Sequence, residues 1–66
     1  MTPEFIYDVP EYLGLTGKAT AEREAQELYV ELLQKGVNNM TEIKIQITNM
    51  EVIASWVIDG KRYFYN

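Results

Sequence analysis

Cysteine and histidine are both missing from this chain of 66 residues. Without cysteine there is no disulfide and no thiolate metal site. Without histidine the commonest metal ligand and the commonest general base are gone. Ser55 is the single serine, and no residue of the right type is present to activate it as a nucleophile. Gly14-Leu-Thr-Gly17-Lys18 has a Gly-Lys pair but lacks the spacing of a phosphate-binding loop. There is no calcium loop. The chain is therefore read as a non-enzyme with no catalytic residues, no cofactor and no metal.

Long apolar runs are also absent. Nothing approaches the ~20 residues of a membrane span, and the N-terminal stretch is acidic and contains proline, unlike a signal peptide. A cytoplasmic protein with no membrane partner is expected. Cations are few: 6 Lys and Arg stand against 10 Asp and Glu, a net charge of −4. Phosphate binding needs clustered cations, so this balance argues against a nucleic-acid partner and fits a protein that meets a basic surface. A single domain of this size buries only about 60% of the surface its unfolded chain exposes. Small scaffolds usually need a staple. With disulfide and zinc-thiolate staples excluded, self-association as a homodimer or a protein partner remains.

What is present is a clear alternation of elements. Phe5 to Val9 predicts a short strand, ended by Pro10. Gly14 and Gly17 punctuate a following connection, so residues 1–18 are expected to be strand and loop. Residues 20–36 predict a helix, with Thr20 as N-cap and Gly36 at the C′ position. Ala21, Ala25, Leu28, Tyr29 and Leu32, extended by Leu33, form its apolar stripe, and Arg23, Glu24, Glu27, Glu31 and Gln34 lie opposite. Residues 41–66 predict a three-stranded antiparallel meander. Ile43, Ile45 and Ile47 alternate with polar residues, and a turn near Asn49-Met50, of two or four residues, pairs them with Trp56, Ala54 and Val52. The expected fold is α+β: a two-layer β-α-β-β-β domain, one helix packed on a mostly antiparallel sheet, with the first strand at an edge.

Asp59-Gly60 is a strong hairpin signal. A two-residue loop would pair Trp56 with Tyr63 and turn Tyr63 and Tyr65 toward the helix. A three-residue loop would turn Phe64 inward and both tyrosines outward, and is slightly preferred because Phe is the more fully buried type. Either way, Ile53 and Val57 lie on the side of the sheet away from the helix.

Two candidate protein-binding surfaces follow. One is that outer sheet face, with Ile53, Val57 and Tyr63, Phe64 or Tyr65 from the last strand; the alternative is that Phe5, Ile6, Tyr12 or Leu13 folds over it. The other is the acidic helix ridge of Glu24, Glu27 and Glu31, which would oppose a basic partner. If the last strand lies at an edge, it can also pair with another copy or another protein. A competing class is a single-stranded nucleic-acid module using Lys61 and Arg62 with the nearby tyrosines. A third is a homodimeric structural or regulatory subunit.

In its order of elements, and in the turn Asp59-Gly-Lys-Arg-Tyr-Phe64, the chain resembles some small phage-encoded inhibitor proteins of the anti-CRISPR type. That resemblance implies a stoichiometric inhibitor that binds a host defence complex, often at a nucleic-acid-binding surface. The acidic helix departs from direct DNA contact and favours mimicry of a nucleic-acid charge pattern. No functional residue is carried over, because the shared motif is a turn.

Overall fold

A computed structural model describes residues 2–49 and 51–65. Its elements are strand β1 (Glu4–Asp8), a 3-10 turn (Glu11–Leu13), helix α1 (Gly14–Gln34), and strands β2 (Met40–Thr48), β3 (Glu51–Ile58) and β4 (Lys61–Phe64). They form an α+β fold: one helix on a four-stranded, mostly antiparallel sheet of order β1-β2-β3-β4. β1 runs parallel to β2 at the edge, which requires a crossover, and α1 supplies it. β2, β3 and β4 are the expected meander.

The β2–β3 register is the one the two alternations dictate: Ile43 opposes Trp56, Ile45 opposes Ala54 and Ile47 opposes Val52. Thr48 opposes Glu51, which leaves a two-residue connection; its turn geometry includes residue 50 and lies outside the described residues. A bulge at Thr41 breaks the ladder between Met40 and Glu42. The extra residue turns Met40 to the helix side, where it is buried with Ile43 and Ile45. These residues and Ala21, Ala25, Leu28 and Leu32 of the helix make the core. β1 adds Phe5 and Tyr7, and the Phe5 ring meets Tyr29 edge to face at 5.7 Å.

The helix begins at Gly14, six residues before the expected start, so Thr20 is not its N-cap. The Thr20 hydroxyl instead donates to the Thr16 carbonyl at 2.9 Å, inside the helix. The glycines that suggested a loop have other work. Gly14, at φ +61°, makes the break between the 3-10 turn and the helix. A Cβ at Gly17 would lie 2.5 Å from Leu13 Cβ and 3.0 Å from Val9 Cγ1, so only glycine lets that turn close against the helix. The other end is as expected. Gly36, at φ +88°, sits at C′ of a Schellman motif: its N–H donates to Leu33 O at 3.0 Å, and the Val37 N–H donates to Leu32 O at 2.9 Å. Leu33 does not extend the buried stripe; it is exposed.

The helix packs chiefly on β2 and β1, touches β3 little and does not reach β4. One half of the sheet's helix side is therefore covered and the other half is open. No helix among the described residues is long and apolar enough to cross a membrane.

Candidate protein-binding edge at β4

The Asp59-Gly60 loop decides the geometry of the last strand. Asp59 (φ +53°) and Gly60 (φ +79°) are both left-handed, the requirement of a two-residue type I′ turn, whose twist matches that of the flanking strands. Ile58 pairs with Lys61, Trp56 with Tyr63 and Ser55 with Phe64. The preferred three-residue loop is thus incorrect. A backbone that can satisfy both positive angles with Asp and Gly outweighs the tendency of Phe to be buried. Tyr63 and Tyr65 face the helix side, and Phe64 faces the open side with an exposure of 59%.

Of the five candidates for the outer sheet face, Phe64 takes it with Ile53 and Val57, and Tyr63 and Tyr65 do not. Ile53, Val57 and Phe64 stay together on the open face, around Ser55. Ile53 and Val57 are half-buried. The N-terminal segment does not cover them. Phe5 packs on Tyr29, Tyr12 is exposed, Leu13 lies against Gly17, and Ile6 sits on the same open face opposite Lys44. Ser55 is buried although no element lies above it. The cause is Arg62, whose guanidinium donates to Ser55 Oγ at 2.7 Å and forms an ion pair with Glu42. One side chain therefore ties β4 to β3 and β2.

This ion pair also dissolves the pairing of Lys61 with Arg62 as a nucleic-acid contact. Adjacent strand residues point to opposite faces. Arg62 is committed to Glu42 and Ser55 on the open face, while the Lys61 ammonium lies 5.4 Å from the Tyr63 ring on the helix side. The two cations form no joint phosphate site.

On the helix side, Tyr63 stacks on Trp56 at 6.2 Å with 15° between the rings. Beside this stack a groove of about 120 Å³ runs between helix and sheet, lined by Glu24, Glu27, Leu28, Glu31, Ala54 and Tyr65. The acidic ridge is therefore not a ridge facing away from the sheet. Its three carboxylates flank the uncovered half of the sheet, with Glu24 and Glu31 half-buried. Tyr65 O–H donates to Glu31 at 3.4 Å, and Lys35 pairs with Glu31 at 3.2 Å one turn on. Sequence reasoning found these acids and Tyr65 but placed them on separate surfaces. The signal that joins them is the Asp-Gly turn, read as type I′. A larger, mostly apolar groove of about 440 Å³, between the helix start and the β2–β3 turn, includes Tyr12, Leu13, Gly17, Ile47 and Val52.

Tyr7 has a displaced acidity. Burial, with the nearby Glu22 carboxylate, raises its pKa above the usual tyrosine value. It lies under the covered half of the sheet and has no part in the β4 surfaces.

β4 is thus an edge strand with one surface on each side of it. The helix-side surface is aromatic and acidic; the open surface is aliphatic and aromatic. No family model, no curated protein and no solved structure matches the chain.

Proposed function

We propose that the chain is a non-enzymatic protein-binding domain whose binding edge is β4, acting as a small stoichiometric partner or inhibitor of another protein. The observation that carries this reading is the uncovered half of the helix side. The helix leaves β4 open, and Tyr63 and Phe64 in it and Tyr65 just after it are 39%, 59% and 50% exposed. Aromatic residues of this kind are enriched at the centres of protein interfaces. An edge strand offers unpaired backbone donors and acceptors as well, the basis of strand addition. Glu24, Glu27 and Glu31 beside Tyr65 favour a basic partner and would speed its approach. The inhibitory form of the reading is supported by the likeness in layout to small phage-encoded inhibitors.

Site-specific photo-crosslinking in the native host tests it. A photo-reactive phenylalanine analogue at position 64 or 65 should capture one discrete protein. The same analogue at Val30, exposed on the helix, should capture none. Capture from Val30 with nothing from β4 would overturn the assignment. Salt-dependent capture of oligonucleotides at position 64 or 65 would move the protein to the nucleic-acid class.

A further inference from the structure

The two edges of the sheet are protected unequally. β1 is bracketed by Pro3 and Pro10, carries exposed Glu4 and Asp8 at its ends and packs Phe5 against Tyr29 of the helix. These are the usual devices that stop an edge from pairing. β4 has no proline. Its two cations do not guard the edge either: Arg62 is drawn back onto Ser55 and Glu42, and Lys61 onto Tyr63.

The phase of the ladder shows which backbone groups β4 offers. The Tyr65 N–H donates inward to Ala54 O at 2.9 Å. Inward pairing alternates along a strand, so Lys61, Tyr63 and Tyr65 bond to β3 while Arg62 and Phe64 direct N–H and C=O to the free edge. Two such residues, separated by one, suit an antiparallel partner with the same spacing. A second β4 has that spacing if the two-fold axis passes between the Tyr63 residues. Arg62 of each copy then exchanges both backbone bonds with Phe64 of the other. Centring on Arg62 instead would oppose like charges, which is unfavourable.

We infer that β4 pairs with β4 of a second copy, antiparallel and centred on Tyr63, making one continuous eight-stranded sheet. The inference rests on the reading of β4 as the binding edge and names its first occupant. Three features of the chain favour this register. Tyr63 meets Tyr63 of the second copy as a non-hydrogen-bonded pair, where side chains approach most closely, and extends the Trp56–Tyr63 stack across the seam. Lys61 of the second copy stands opposite Tyr65, beside the groove flanked by Glu24, Glu27 and Glu31, so a cation meets the acidic wall. On the open face, Phe64 lies against the Arg62 stem of the other copy. Both helices stay on one side and well apart. Between them the paired aromatic strips form the floor of a trough with acidic walls, which neither copy completes alone.

Sedimentation velocity of the full chain over a concentration series is the test, with Trp56 fluorescence and far-UV circular dichroism reporting folding. The wild-type chain is expected to pass from monomer to dimer. Lys61→Glu, at the exposed hairpin tip, should raise the dissociation constant by about tenfold or more, because it sets a carboxylate against an acidic wall. Adding Glu27→Lys should recover much of that loss. Phe64→Pro removes an outward N–H, a change edge strands tolerate, and should give a folded monomer; if it does not fold, the Lys61 pair of variants still decides. A wild-type chain that is monomeric throughout, or a dimer indifferent to Lys61→Glu, overturns the inference. A monomer that still crosslinks a host protein from position 64 defeats the dimer alone. A dimer that crosslinks nothing but itself defeats the partner reading alone.

Discussion

Ile45 and Ile53 are the same residue type in the same sheet, and replacing each by valine should have unequal costs. Ile45 is fully buried, between Tyr7 and Ala54 on neighbouring strands and under the helix. Removing its terminal methyl loses about 0.8 kcal/mol of transfer free energy and leaves a space the packed neighbours only partly close. The expected cost is ~1 kcal/mol, inside the roughly 0.5–1.5 kcal/mol usual for this change. Ile53 is half-buried on the open face, where water fills what the methyl vacates. About half the transfer term remains, so ~0.4 kcal/mol or less is expected. A 66-residue domain has roughly 3–10 kcal/mol of total stability, so both variants stay folded. Urea unfolding at a concentration below dimerisation, with unchanged slope, measures the difference, and the Ile45 variant should melt about 4–8 °C lower than wild type. Equal costs, or a larger cost at Ile53, would show that the open face is covered and refute the one-sided account of the core.

Five further substitutions probe three separate parts of the account. Gly17→Ala should destabilise by ~1–3 kcal/mol in thermal unfolding, because the added methyl meets Leu13 and Val9 at overpacked distance, whereas Gly36→Ala, with open space around it, should cost only the ~1–2 kcal/mol of a left-handed residue. Arg62→Ala should cost about 0.5–1.5 kcal/mol, as it removes the hydrogen bond to Ser55 and the ion pair with Glu42 while opening the hydroxyl to water, and Glu42→Gln, which keeps the Ser55 bond, should cost less; the reverse order in urea unfolding would remove Ser55 from the explanation. Tyr7 has a raised pKa, so the fold holds its proton more tightly than the unfolded chain does. That contribution is present below the ordinary tyrosine pKa and is lost as pH rises through the folded value, and Tyr7→Phe should lose less stability than wild type between neutral and strongly alkaline pH.

Most of the fold was legible because independent patterns agreed. The isoleucine alternation of β2 and the alternation of β3 demand one register, and Gly36 marks the helix end without ambiguity. The helix start was hidden because glycine has two uses. Gly14 and Gly17 signal a loop in sequence, yet one makes a break and the other a close contact inside helical structure. The bulge at Thr41 left no signal, since an extra residue is visible only when Met40 is seen buried. The surfaces around β4 were half legible. Their residues were identified, but the face each occupies depends on a single residue of loop length, and one residue of register inverts every side chain of a strand. The carboxylates were taken for a solvated ridge because helix periodicity locates the core stripe without saying how far the sheet extends beyond it.

Amide hydrogen exchange at Arg62 and Phe64, followed from dilute to concentrated solution, addresses the central claim that β4 is the binding edge. Tyr63 and Tyr65 bond inward and should be protected at every concentration. The Arg62 and Phe64 amides face outward and should exchange rapidly when dilute, then become protected as the chain self-associates or when a captured partner is added. If those two amides exchange rapidly under all these conditions while association is detected by sedimentation, the binding edge lies elsewhere and the account of β4 is wrong.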